Sequence, residues 1–198
     1  FKDTYAPLLM QSAQMHSPDF RLAETGEGAE AYALRCADAL EQDVSEHSHE
    51  LAAFIIEPLV QCAAGMAMYH PVYLKRAREI CTTYSVHLIA DEIAVGFGRT
   101  GTMFACEQAT EVNHELKERP VFADFTCLSK GITGGYLPLS VVLTRDEIYQ
   151  AFYDDKVTKA FLHSHSYTGN PLACSAALAT LSIFETDNIL QKNRETSD

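Results

Sequence analysis

Asp91 and Lys130 each follow a short apolar run, His87-Leu88-Ile89-Ala90 in one case and Phe122 to Leu128 in the other, the latter separated from Lys130 by Ser129. Such runs, closed by polar residues, read as buried strands, and the carboxyl ends of strands in a parallel sheet are where ligands gather. Gly131-Ile132-Thr133-Gly134-Gly135 comes directly after Lys130. That stretch is expected to be flexible and to let backbone approach a bound ligand. Further on, Ser166, Thr168 and a helix opening at Asn170-Pro171 resemble an anion site. Pyridoxal phosphate chemistry asks for a lysine to condense with the cofactor aldehyde, a carboxylate to keep the pyridine nitrogen protonated, and phosphate donors. Asp91 and Lys130 can supply the first two. A lysine after a strand also reads as a strand end reaching solvent, and spacing alone leaves both readings open.

Other motifs carry less. Gly96-Phe97-Gly98-Arg99-Thr100-Gly101 matches G-x-G-x-x-G. A dinucleotide fingerprint should follow a strand directly and open a helix, whereas Asp91 to Val95 intervene here and no helical run follows. The partner acid is missing too, since Glu118 lies in a charged stretch. A tight glycine turn is the expectation. The pairs His47-Ser48-His49 and His163-Ser164-His165 lack a Cys or carboxylate at ligand spacing, so no metal site is expected.

These residues need elements to hold them. Ala29 to Leu40 is Ala-rich and helical, and the polar run Asp43 to Glu50 reads as a surface loop. Ala53-Phe54-Ile55-Ile56, closed by Glu57-Pro58, reads as a strand buried on both faces. Tyr73 to Tyr84 has helical spacing, Leu139 to Leu143 reads as a strand, and Asp146 to Tyr153 as a helix with two acids in its first turn. The last helix runs from Asn170-Pro171 to about Phe184. Strand and helix alternate, which indicates an α/β fold with a mainly parallel sheet flanked by helices.

Composition narrows the partners. The 198 residues carry a formal charge of −12, with 47% hydrophobic and 21% charged residues. That is globular composition, and its acidity argues against a nucleic-acid partner. No apolar run reaches the length of a membrane span, so no membrane partner is expected either. The six cysteines form no C-x-x-C pair, and several lie in apolar stretches such as Phe125 to Leu128, where a buried thiol acts as a small hydrophobe. A reducing, cytoplasmic compartment is expected.

Four stretches together resemble the class III aminotransferases, enzymes of pyridoxal phosphate fold type I. They are Phe54-Ile55-Ile56-Glu57-Pro58, Ala90 to Gly101, Leu128 to Gly135, and Gly169-Asn170-Pro171-Leu172-Ala173-Cys174. The likeness covers most of residues 50–186. The segment Asp91-Glu92-Ile93-Ala94, where many relatives have Gln in place of Ala94, and the run Thr133 to Ser140 point to the sub-family of biotin biosynthesis with adenosylmethionine as donor. The resemblance implies that Lys130 is the catalytic lysine bound to the cofactor, that Asp91 pairs with the pyridinium, and that Ile93 lies against the ring. Relatives have Gly-Pro-Thr where this chain has Ser164, His165 and Ser166. The likeness therefore assigns His165 and Ser166 to cofactor binding, with the Ser166 hydroxyl reaching phosphate across a homodimer interface, and Ser164 to substrate. Glu57 matches a glutamate near the substrate site, and an ion-paired strand-end carboxylate is the other reading of it. The resemblance also implies small-molecule substrates. Residues 1–198 are expected to be part of the large cofactor-binding domain. A phosphate-binding Gly-Ser turn and a stacking aromatic are expected before Phe1, and a carboxylate-binding arginine after Asp198. The chain alone is thus expected to be inactive.

Overall fold

The computed structural model describes residues 2–10, 12–111 and 123–197. The chain begins with a one-turn helix α1 (Lys2–Tyr5) and a long helix α2 (Ala29–His47). Strand β1 (Ala53–Ile56) is followed by a small ribbon of β2 (Val60–Gln61) and β3 (Ala67–Met68), then helix α3 (Val72–Thr83). Strand β4 (His87–Asp91), helix α4 (Glu107–Glu111), strand β5 (Phe125–Leu128) and strand β6 (Val141–Thr144) come next. Helices α5 (Asp146–Phe152), α6 (Pro171–Thr186) and α7 (Ile189–Ser197) complete the order. The main sheet runs β1-β4-β5-β6, with the first three strands parallel and β6 antiparallel at one edge. The mainly parallel α/β architecture read from the alternation is the one observed.

The core lies between α2, α3 and one face of this sheet. Leu88 and Ala90 of β4 are fully buried, as are Leu74 and Ala77 of α3 and Ala33 and Ala37 of α2. Small residues on α2 let it approach α3 closely. Asp124, just before β5, ties the sheet to that helical layer from the amino end of the strands. Its Oδ2 accepts the Leu88 amide at 2.7 Å and Arg78 Nη1 of α3 at 2.9 Å, and its Oδ1 pairs with Arg145. Burial works to raise the Asp124 pKa, but the Leu88 amide and the two guanidinium groups outweigh it and hold the carboxyl below its usual range.

Several expectations are corrected. The run Asp43 to Glu50 is not a loop as far as His47, because Val44 extends the buried stripe of Ala33, Ala37 and Leu40 and keeps α2 helical. β1 is an edge strand, so it is not buried on both faces: Ile56 is covered while Ile55 is 60% exposed. Strand β5 starts at Phe125 rather than Phe122, since Asp124 turns its carboxylate onto the Leu88 amide; Phe122 and Glu118 lie outside the described residues. The Leu139 carbonyl accepts the Ser129 hydroxyl at 2.7 Å, and β6 begins only at Val141. Cys127 is half-buried, not sealed in a core. The stretch after Lys130 is not a loose glycine segment. Lys130–Thr133 forms a 3-10 helix, which Gly134 and Gly135 end with φ of +60° and +81°.

Candidate active site

The site is built at the carboxyl edge of three neighbouring parallel strands. Glu57 follows β1, Asp91 ends β4, and Lys130 follows β5 after one intervening residue, Ser129. Asp91 stands opposite Cys127 in the β4–β5 register, and the Glu92 amide still donates to the Cys127 carbonyl at 3.0 Å. The two strands therefore end together, with Asp91 and Lys130 on the same rim. Sequence reading placed both at strand ends; the register that makes those ends neighbours is visible only in the fold.

Asp91 is half-buried, and its Oδ1 accepts the amide of Ile93 at 3.1 Å, which fixes the carboxylate against its own turn. Its charge also acts on the neighbouring thiol. Burial first, and the Asp91 charge second, push the Cys127 thiol above its usual value. Lys130 is exposed, and its ammonium makes no hydrogen bond or ion pair with a described residue. Ser129 before it is extended, and the lysine itself takes a left-handed backbone with φ of +46°. Such a conformation is uncommon outside glycine and costs on the order of 1 kcal/mol or more.

Glu57 forms no ion pair with a described residue. Its Oε2 accepts the Cys62 amide at 3.0 Å, and its carbonyl accepts the Tyr69 hydroxyl at 2.6 Å, so it shapes the turn after β1. The exposed turn Ser164-His165-Ser166 is held by bonds within itself. His165 Nδ1 accepts the Tyr167 amide at 3.1 Å, and Thr168 Oγ1 accepts the His165 amide at 3.1 Å. Asn170 caps α6 as its sequence suggested, with Oδ1 accepting the Leu172 amide at 3.0 Å. No hydrogen bond or ion pair joins this turn to Asp91 or Lys130 among the described residues. One end of the constellation is thus assembled on the sheet, and the other stands apart from it.

The glycine-rich segment 96–101 is a turn with no helix directly behind it. Its anchor is Glu92, which sequence reading passed over. This carboxylate is completely buried and accepts the amides of Ala105 and Cys106 at 2.9 and 2.8 Å. Burial raises its pKa, and the two amides oppose that rise. The available signal was the acid pair Asp91-Glu92 itself: alternation turns one side chain toward the rim and the next inward. His47 bonds the Asp43 carbonyl within α2 and His49 approaches Glu50; no group of three metal-ligating side chains is found among the described residues.

The donor set fits pyridoxal phosphate at one end. A primary amine and a carboxylate flank one rim without neutralising each other in an ion pair. Ile93, half-buried, follows on the turn beside Asp91.

Comparison with known proteins identifies the family of the chain. The family model described as "Aminotransferase class-III" matches residues 1–198. The chain is 48% identical over 200 residues to an adenosylmethionine-8-amino-7-oxononanoate aminotransferase of Helicobacter pylori, covering 100% of this chain and 41% of that protein. It resembles the crystal structure of the enzyme of the same name from Methanocaldococcus jannaschii with a TM-score of 0.81 and 38% identity, over 96% of this chain and 40% of that one. An (S)-enantioselective omega-transaminase from Thermomicrobium roseum matches with a TM-score of 0.76 and 31% identity, over 95% of this chain and 40% of its own. The chain therefore spans about two fifths of the length of these relatives.

Proposed function

The chain belongs to the class III aminotransferases, and from that premise we propose that the whole protein moves an amino group from adenosylmethionine to 8-amino-7-oxononanoate, giving 7,8-diaminononanoate for biotin synthesis. Pyridoxal phosphate, held by this fold, supplies the electron sink that such a transfer needs. The chain's residues 1–198 then form part of the large cofactor-binding domain.

The observation that carries the proposal is the placement of Asp91 and Lys130 at the carboxyl ends of two adjoining parallel strands. In this reading Asp91 holds a proton on the pyridine nitrogen, oriented by the Ile93 amide on its Oδ1. The amine of Lys130, which has no ion-pair partner among the described residues, would hold the cofactor and would serve as the base and acid that moves the substrate's proton. Ile93 follows Asp91 and limits the ring's face. Ser164 would meet substrate, and His165 and Ser166 the phosphate.

Ser166 is proposed to act on the partner's site in a homodimer. The support is the isolation of its turn together with the exposed apolar side chains around it. Leu162 and Tyr167, next to it in sequence, are 77% and 76% exposed. A cytoplasmic setting is proposed as well, supported by six cysteines that remain unpaired.

The donor is tested on the full-length protein with bound cofactor. Adenosylmethionine should convert the cofactor's absorbance to that of its amine form, and β-alanine should not. Conversion by β-alanine alone would replace this reading with an omega-amino donor, as the name of the Thermomicrobium roseum relative would then suggest.

A further inference from the structure

Lys130 has a strained backbone, and the structure holds it from one side. Across the rim, the turn 96–106 brings Phe97 against Gly131. A β-carbon at position 131 would lie 2.9 Å from Phe97 Cβ, 3.0 Å from Cδ2 and 3.2 Å from Cγ. Real β-carbons do not sit that close to another side chain's root, so Gly131 is required by Phe97 and the two surfaces are in full contact. Phe97 cannot easily retreat. Its own φ is +60°, and its ring meets Phe104 edge-on at 5.9 Å and Phe184 of α6 at 6.4 Å.

The turn beneath Phe97 is fixed at both ends. Glu92 holds Ala105 and Cys106, and its carbonyl accepts the Gly96 amide at 2.8 Å. Next to Phe97, the Gly98 carbonyl accepts Asn193 of α7 at 2.9 Å. On the lysine side, the Lys130 carbonyl accepts the Gly135 amide at 3.2 Å, a bond that spans the 3-10 turn whose second residue is Gly131. Force applied at Gly131 therefore passes directly into the peptide of Lys130.

We propose that Phe97 is the positioning residue for Lys130, pressing on Gly131 to keep the lysine in its left-handed conformation and so fixing where its side chain leaves the rim. The inference rests on the reading of Lys130 as the cofactor lysine. Phe97 touches neither reacting group; it acts through Gly131. Replacing it should let the lysine relax to an ordinary backbone conformation and move its amine.

The test uses the full-length protein with Phe97→Ala, Phe97→Leu and Gly131→Ala, and two readouts. One is the pH midpoint of the visible absorbance of the lysine-bound cofactor. The other needs no cofactor: acylation of Lys130 by acetic anhydride in the stripped protein, followed by peptide mass spectrometry. Phe97→Ala should move the midpoint and change the Lys130 acylation rate by about three-fold or more, with Phe97→Leu close to the unmodified protein. Gly131→Ala, which crowds the same contact from the other side, should also change both. Should Phe97→Ala fail to fold, Gly131→Ala supplies the perturbed arm and Phe97→Leu the unperturbed one. Unchanged midpoint and acylation in folded Phe97→Ala or Gly131→Ala, whatever their thermal stability, would overturn the proposal. Absence of lysine-bound absorbance in the unmodified protein would remove the functional reading instead, while the acylation rates would still decide the role of Phe97.

Discussion

In the proposed reading, Asp91 and Lys130 divide the work because their surroundings differ. Asp91 is half-buried with one oxygen committed to the Ile93 amide, so it is held in place. Lys130 is exposed and free of ion pairs among the described residues, so its amine is available to bond and to carry a proton. The account makes Asp91 an electrostatic partner and gives it no part in bonding. Asp91→Asn in the full-length protein should therefore keep the cofactor on the lysine but slow the donor half-reaction, on the order of a hundred-fold. Rapid-mixing absorbance with adenosylmethionine measures this. Full speed in that variant would reduce Asp91 to a cap on its own turn.

At the scale of elements, the sheet's two edges have separate tasks. The carboxyl edge carries Glu57, Asp91 and Lys130, and the amino edge is fastened by Asp124 to α3 and to Arg145. Because the Asp124 pKa is lowered on folding, its contribution is present above the unfolded carboxylate value of about 4 and is lost as pH falls through the folded value. Asp124→Asn leaves Arg78 without its buried partner and should cost about 3 kcal/mol near neutrality. Urea unfolding across pH should show the gap between the two proteins closing below pH 4 or so; a constant gap would mean that the ion pairs contribute nothing. The strand ends were legible because apolar runs stop abruptly at Asp91 and one residue before Lys130. The cap at Asn170 was legible because Asn-Pro has a local meaning at a helix start. What decided the rest is tertiary. Val44 is one apolar residue in a polar run, and only α3 opposite it makes α2 continue. Glu92 reads like any acid after a strand until the fold brings the Ala105 and Cys106 amides to it. Gly131 suggests looseness in sequence and proves to be a close contact with Phe97.

For the whole molecule, the question is where the phosphate end of the site comes from. Ser164-His165-Ser166 is exposed and makes no hydrogen bond or ion pair to Asp91 or Lys130 among the described residues, although its motif reads as part of the same site. A dimer that exchanges this turn resolves the mismatch without moving either element. Full-length chains carrying Lys130→Ala and chains carrying Ser166→Ala, each inactive alone, should regain part of their activity when mixed, because some heterodimers place both lesions in one site. No recovery despite proven subunit exchange would mean that Ser166 serves its own chain. The central claim, that this rim holds pyridoxal phosphate through Lys130, is tested most directly by covalent capture. The full-length protein loaded with cofactor is reduced with borohydride, digested, and its peptides are weighed. The added pyridoxyl mass is expected on Lys130 and on no other lysine; the mass on a different lysine, or on none, would overturn the assignment.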